Sequence, residues 1–555
     1  MYKNFYLVSK GNFLTTPEDM ATISFMRQLV HNGVFIPPYE YKGLSITVNG
    51  ERVKLTPEQE EMAVAFAKQP PERLEDKVFV KNFLKDFYAA LGLNGSTQND
   101  PIDFSEVKQW VESEKQLKER MTKEERKASS EKRRLMREEL KQKYGYAIID
   151  GEKVEIRFTV EPPCIFIGKG KHPLRGRWKP RVRYEDITLN LSPDAPTPPA
   201  PDGGSWGGRV WDPDALWIAR WRDKLTGKMK YIWVGETAPV KQERERIKFD
   251  MAMSLEDNLD KIRQLVRRGL ESEDGFERQV ATAIFLIDLL KLRVGDEKDK
   301  DELDTKGVTT LTKKNVKILS DDTVEFNFLG KAAVRFHRTV KLPPVVVRNL
   351  KELIEKTPGK RLFPKLRSEH VNEFLSKVMP GLTSKIFRTY YASKAVFQKL
   401  YEFKTRPEDP EYKKLFIAKL ANLEAAKTLN HRRTLPKNWA QRLEKQVERV
   451  RKVLGEIEEL KRILKEKPTK ARRRRLKRLR ERLQKERIRL ELMRRTRDYN
   501  LNTSLNSYID PRIYLEWSRK TSFDWSKIYS KSLQKKISWA LQTLEQETPP
   551  VQEET

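Results

Sequence analysis

The chain has 555 residues, with 112 Lys plus Arg against 80 Asp plus Glu, a net charge of +32 and a pI near 9.8. That length holds several domains, and so large a self-repelling charge is tolerated most readily when the partner is a polyanion. No apolar run reaches the roughly 18 residues of a membrane span, the start lacks a signal-peptide pattern, and the lone Cys164 excludes an intrachain disulfide or a Cys-rich zinc site. These features point to an intracellular nucleic-acid-binding protein with no membrane attachment.

Residues 1 to about 190 read as mixed α and β. Ser45 to Val53 is a hairpin turning at Asn49-Gly50. Thr56-Pro57-Glu58-Gln59 starts a helix with a capping box and Pro at its first position. Asp103 to Tyr144 is helical and densely charged, with a second cap at Thr122, and reads as a solvated projecting arm. Ala147 to Gly151 opens another hairpin. Gly168-Lys169-Gly170-Lys171-His172 lacks the spacing of a P-loop. It is a basic turn, and its functional reading is a backbone approach to a phosphodiester neutralised by Lys169 and Lys171. Basic residues continue through Lys179 and Arg181.

Ser192 to Gly208 carries five prolines and four glycines and reads as a surface loop. Trp206, Trp211, Trp217 and Trp221 follow and are expected in the core of a small sheet. A helical stretch begins near Val240, and its apolar part, Ala281 to Leu290, leads directly to Arg293. An arginine at the end of a buried helix either pairs with a carboxylate or is held for an anion. Asp299-Lys300-Asp301 has the spacing of a magnesium site but lies in an acidic run after a helix, and no metal is assigned to it.

Val316 to Val340 alternates as strands, with Lys331 at or beside a hairpin tip. Ser368 to Leu429 is helical, and Lys385 and Arg388 share a helix face within it. Asn430-His431 ends that segment; the histidine either caps the helix or serves a site. From Trp439 to about Met493 a thin apolar seam (Leu443, Val447, Val450, Leu454, Ile457, Leu460; then Leu476, Leu479, Leu483, Leu490) breaks at Lys467-Pro468-Thr469, which predicts an antiparallel helical hairpin. A polar stretch, Asn502 to Arg512, then carries Tyr508, and Tyr508 to Glu545 reads as a small helical domain.

Arg293, Lys331, Arg388, His431 and Tyr508 stand in that order within characteristic local sequences. These are Leu-Arg-x-Gly at Leu292 to Gly295, Phe-Leu-Gly-Lys at Phe328 to Lys331, Lys-x-Phe-Arg-Thr-Tyr at Lys385 to Tyr390, Asn-His at Asn430-His431 and Tyr-x-Asp-Pro-Arg at Tyr508 to Arg512. Pro37-Pro38-Tyr39 and Glu161-Pro162-Pro163 precede them. In these motifs the chain resembles the eukaryotic-type (type IB) DNA topoisomerases over nearly its full length, in a minimal form without their charged N-terminal tail, as an archaeal version would be.

The resemblance implies an α+β multidomain fold. It comprises a mixed N-terminal DNA-clamp lobe (residues 1–236) and a mainly helical, tyrosine-recombinase-like catalytic lobe (237–435). An antiparallel coiled-coil linker (436–495) and a small helical C-terminal domain with the tyrosine (496–555) follow. It implies supercoil relaxation through a 3′-phosphotyrosyl intermediate, with no cofactor, no ATP and no obligatory metal, by a monomer clamping double-stranded DNA. Tyr508 would be the nucleophile, Arg293, Arg388 and His431 the stabilisers of the phosphate, and Lys331 the general acid. Lys169, Lys171, Lys179, Arg181, Lys385, Asn430 and Ser507 would touch DNA.

Three departures stand out. The family commonly has Ser-Lys-x-Asn-Tyr where this chain has Ser504-Leu505-Asn506-Ser507-Tyr508, Asp where it has Ala332, and Arg where it has Lys169. They imply weak trapping by camptothecin. Two alternatives share the pattern: a site-specific tyrosine recombinase, and a non-enzymatic DNA-binding clamp in which Tyr508 is structural.

Overall fold

The computed structural model describes residues 26–93, 101–168, 170, 172–295, 304–331, 334–436 and 438–546. It is a mixed α and β protein with several small sheets. No helix among the described residues is long and apolar enough to cross a membrane. Two compact units divide the chain, one built on Thr22–Lys241 and the other on Gln242–Lys298 and Asp304–Thr555.

The first unit starts with β1 (Leu29–His31) and the hairpin β2 (Ser45–Val48) and β3 (Glu51–Lys54). Asn49 and Gly50 turn that hairpin at φ +50° and +84°, the left-handed pair such a two-residue turn requires. Helices α1 (Pro57–Ala67) and α2 (Lys77–Ala90) follow, then β4 (Ile102–Asp103). Thr56 caps α1 with the reciprocal Gln59 contact that the sequence predicts. Phe66, Phe83, Phe87 and Phe104 form the centre of one core, the first two stacked at 4.2 Å.

Helices α3 (Ser105–Arg120) and α4 (Lys123–Tyr144) are separated at Thr122, whose capping box is present. Of the 22 residues of α4 only Tyr144 is buried, so this is a solvated helix as its charge density requires. The hairpin β5 (Tyr146–Ile149) and β6 (Glu152–Glu155) pairs with β1. A short pair, β7 (Cys164–Ile165) and β8 (Trp178–Lys179), comes next. The last sheet has β9 (Ile187–Asn190), β10 (Gly208–Val210), β11 (Trp217–Arg222) and β12 (Met229–Trp233), in the order β10-β9-β11-β12. The proline-rich loop returns the chain so that β10 runs parallel to β9. Trp221 lies in the core beneath this sheet with Trp206 and Trp211 packed against it, and Trp217 is buried as well.

The second unit contains α5 (Pro239–Leu270) and α6 (Gly275–Leu290), then the sheet β13 (Val316–Ile318), β14 (Thr323–Gly330) and β15 (Val334–Lys341). Helices α7 (Pro344–Lys356), α8 (Ser368–Ser376), α9 (Ser384–Glu402) and α10 (Glu411–Thr428) follow. The long pair α11 (Trp439–Glu466) and α12 (Lys470–Arg495) leads to α13 (Leu501–Ser507), α14 (Pro511–Lys520), α15 (Lys531–Lys536) and α16 (Ser538–Gln546). One core runs from Ile284 and Ile287 of α6 through Phe326 of β14 and Phe387 of α9 to Tyr508, Tyr514 and Trp517. The segments after Tyr508 therefore share the core of the helices that precede α11.

The seam between α11 and α12 is Gln446, Val450, Val453, Ile457 and Leu460 against Leu479 and Glu486. The sequence reading placed Val447 and Leu454 there instead. A two-helix seam is one residue wide and follows alternating steps of four and three, so these two only flank it. Gln446 fills its seam position because its Nε2 donates to Glu486 Oε2 at 2.7 Å.

Candidate active site

Arg293 stands just past α6. Lys291 ends that helix in the left-handed conformation, φ +58°. Gly295, at φ +94°, lies so close to Gly307 that a Cβ on it would come within 2.7 Å of the Gly307 Cα. That approach lets Val308 N donate to Arg293 O at 2.9 Å and Thr309 N to Val294 O at 2.8 Å. The glycine of the Leu-Arg-x-Gly motif thus serves to fix the arginine's backbone.

Arg388 is buried in the first half of α9. Its Nη1 donates to the carbonyl of Lys291, and its Nη2 to that of Leu429 at 3.2 Å. Its Nε has no hydrogen-bond partner among the described residues, an unsatisfied donor of the kind functional sites carry. Lys291 is itself held: its ammonium lies 3.1 Å from the centre of the Tyr391 ring, and Tyr391 donates to Asp288, which also accepts from Arg263 Nε at 3.0 Å.

His431 follows α10 and the left-handed Asn430, φ +53°, and its backbone N–H donates to Ala426 O at 2.8 Å. The buried imidazole has Nε2 at 3.1 Å from Arg388 Nη2 and Nδ1 at 2.7 Å from Ser504 Oγ. Tyr508 sits at the end of α13, its N–H donating to Ser504 O at 2.9 Å. Ser393 Oγ donates to the Tyr508 carbonyl at 3.3 Å and accepts from Asp510 N at 3.0 Å. Two lysines from distant helices reach the carbonyl end of α13: Lys536 donates to Asn506 O at 2.6 Å and Lys248 to Ser507 O at 3.4 Å. Cations at a helix C-terminus meet its partial negative charge.

These side chains converge. The Arg388 and Arg293 guanidinium carbons lie 5.1 Å and 5.6 Å from the centre of the Tyr508 ring, and the His431 ring centre lies 5.2 Å away. They line one pocket of about 250 Å³ together with Lys331, Asn430 and Ser507. Lys331 is exposed, just beyond β14, and lines the pocket with the stacked pair Phe328 and Phe336. Burial alone would raise the Tyr508 phenol above its ordinary range. The charges of Arg388 and Arg293, and hydrogen bonds from both, outweigh it and bring the phenol below that range. Burial pulls the Arg388 guanidinium down to about 10, with Arg293 acting in the same direction. Burial, then Arg388 and Arg293, push His431 down to about 3, so its imidazole is neutral. The pocket thus offers an oxygen nucleophile made more acidic by two guanidiniums, which suits attack on a phosphodiester.

The five residues singled out for chemistry come together in this one pocket, as do Asn430 and Ser507. Lys385 stays exposed in the first turn of α9 while Arg388 is buried, so the two do not share an environment. In the first unit Lys179 is buried and pairs with Glu161 and, at 2.8 Å, with Asp223. Arg181 meets both oxygens of Glu61 at 2.8 Å. Both cations thus have internal carboxylate partners that the sequence reading did not anticipate, because those partners are far away in the chain. Lys169, Lys171, Ala332, Asp299 and Asp301 lie outside the described residues. Sequence reasoning missed Ser504, Lys248, Lys536 and the Lys291 carbonyl. Only Ser504 left a signal, a hydroxyl one helical turn before the tyrosine.

Three family models match the chain. They are described as the DNA binding fragment (residues 26–234) and the catalytic core (237–464) of eukaryotic DNA topoisomerase I, and as a C-terminal topoisomerase domain (480–547). "DNA topoisomerase 1 alpha" of Arabidopsis thaliana is 35% identical over 578 residues, covering 98% of this chain and 62% of its own. "DNA topoisomerase 1 beta" of the same plant is 34% identical over 544 residues, covering 93% and 58%. "DNA topoisomerase 1" of Homo sapiens is 33% identical over 543 residues, covering 92% and 70%. The chain spans about three-fifths of the length of the two plant relatives. A pocket that sets a phenol among guanidiniums accords with these matches. The chain belongs to the eukaryotic DNA topoisomerase I family.

Proposed function

We propose that this protein is a type IB DNA topoisomerase that relaxes supercoils in double-stranded DNA inside the cell. The Tyr508 oxygen attacks a backbone phosphorus and loses its proton to solvent. The bond from phosphorus to the 5′ oxygen breaks, and that oxygen takes a proton from Lys331. Arg293, Arg388 and His431 hold the non-bridging oxygens, where negative charge grows in the transition state. The 3′-phosphotyrosine retains the energy of the broken bond, so the free 5′ hydroxyl reverses the step without ATP once the duplex has rotated.

In this reading the first unit, to about residue 236, is the DNA-clamp lobe, and residues 237–435 carry catalysis. The pair α11 and α12 is the linker, with the basic run Arg472 to Arg475 near the DNA. Lys385, Asn430 and Ser507 contact the strand at the cut. One observation supports this most: the Arg388 and Arg293 guanidinium carbons lie 5.1 Å and 5.6 Å from the centre of the buried Tyr508 ring.

The test is a supercoiled plasmid with no recognition site, in EDTA and without ATP. A ladder of relaxed topoisomers is expected. Strand exchange between specific sites without relaxation would favour a recombinase, and binding without any covalent adduct would favour a clamp.

A further inference from the structure

The His431 imidazole is held between a group that can only donate and a group that can do either. Arg388 Nη2 stands 3.1 Å from Nε2, and a guanidinium has no acceptor. Nε2 therefore turns its lone pair to Arg388. The ring is neutral, since burial and the two neighbouring guanidiniums oppose its charge. A neutral imidazole with the lone pair on Nε2 carries its proton on Nδ1. Nδ1 lies 2.7 Å from Ser504 Oγ, so here the serine accepts.

Contact with a phosphate oxygen requires the reverse. Nε2 must then bear the proton. Making an imidazolium would add a third positive charge beside Arg293 and Arg388. A change of tautomer avoids that: one proton leaves Nδ1, one arrives at Nε2, both by exchange with solvent water, and the net charge is constant. The exchange needs an Nδ1 partner that can donate as well as accept. A carboxylate or carbonyl would lock Nδ1–H, and a lysine would lock the opposite form. A hydroxyl serves both.

We propose that Ser504 is a positioning residue that lets a neutral His431 change tautomer when DNA phosphate replaces Arg388 at Nε2. The inference rests on the topoisomerase reading above. Ser504 is fully buried, and its carbonyl accepts from Tyr508 N at 2.9 Å and from Ile509 N at 3.2 Å. The hydroxyl and the nucleophile therefore move as one piece of α13.

The experiment labels the five histidines with ¹⁵N and reads their ring-nitrogen shifts, with His431→Gln assigning the signals. In the free protein the His431 proton is expected on Nδ1. In Tyr508→Phe saturated with duplex it is expected on Nε2, with the ring still neutral. Ser504→Ala should slow single-turnover cleavage about tenfold, the worth of one transition-state hydrogen bond, with duplex Kd unchanged. It should add nothing in a His431→Gln background, and Ser504→Thr should restore part of the rate. A tautomer that does not change on binding, an imidazolium, or wild-type cleavage by a folded Ser504→Ala would each overturn the proposal alone. Absence of any covalent complex with the wild-type protein would remove the topoisomerase reading, and this proposal with it.

Discussion

Arg512 Nη1 donates to Asp250 Oδ1 at 2.7 Å, which ties the turn behind Tyr508 to helix α5. The same guanidinium holds Asp510, Nη2 to Oδ2 at 2.8 Å, and Asp510 accepts from the Arg512 N–H at 2.9 Å to start α14. Arg512 and Asp510 are both buried. Among the described residues, removing the arginine leaves Asp510 without its cation and Asp250 with Arg246 alone, at 3.1 Å. Arg512→Ala is expected to lose roughly 3 kcal/mol of stability, in the range for breaking a buried pair, and to slow cleavage because Tyr508 loses its backing. Denaturant unfolding beside single-turnover kinetics measures both. An unchanged midpoint would show that the tie carries no energy.

His431 gives a pH dependence. Its folded pKa is about 3, against the ordinary 6.5 of an unfolded chain. Between those values the unfolded state binds a proton that the folded state does not. Stability from this group therefore rises with pH up to about 6.5 and falls on acidification below it. His431→Gln keeps a neutral polar side chain without that titration. Relative to wild type it should gain roughly 2 to 3 kcal/mol between pH 7 and about pH 4.5. Unfolding curves at several pH values check this, and parallel curves for the two proteins would contradict it.

Much of this was legible in the chain. Asn49-Gly50, Thr56 and Thr122 act through neighbours a few residues away, so short-range chemistry revealed them. The catalytic candidates were legible because each lies in a local motif whose backbone is specialised, as Gly295 beside Gly307 illustrates. What stayed hidden depends on partners distant in sequence. Lys179 reads as a free basic residue until Asp223 is beside it. Gln446 reads as surface until Glu486 faces it across the seam. Ser504 is unremarkable until the imidazole of His431 rests on it.

Lys331 is exposed at the pocket while the other four candidates lie deeper or partly covered. In its proposed role of general acid it should be dispensable once the leaving group needs no proton. Lys331→Ala is expected to slow cleavage of normal DNA by about 10² to 10⁴, and a substrate with sulfur at the bridging 5′ position should restore most of the rate. Rates that stay low on the sulfur substrate would make Lys331 a charge stabiliser instead.

Two contacts across the helical pair bracket a deletion. Arg482 Nη1 pairs with Glu456 at 3.3 Å, and Gln446 meets Glu486. Replacing residues 457–481 with a short turn keeps those contacts and the Tyr412 hydrogen bond to Gln484 at 2.8 Å, while removing Arg472 to Arg475. Strand cleavage should persist. The dependence of DNA affinity on salt should become shallower, since each lost phosphate contact reduces the slope. A slope identical to that of the full chain would place this pair away from DNA.

The most direct measurement is covalent capture. The wild-type protein is mixed with end-labelled duplex, stopped with denaturant, digested and mapped by mass spectrometry. The 3′ end of a broken strand is expected on Tyr508, with no adduct on Tyr508→Phe although that variant still binds the duplex. An adduct on another residue, or plasmid relaxation by Tyr508→Phe at the wild-type rate, would contradict it.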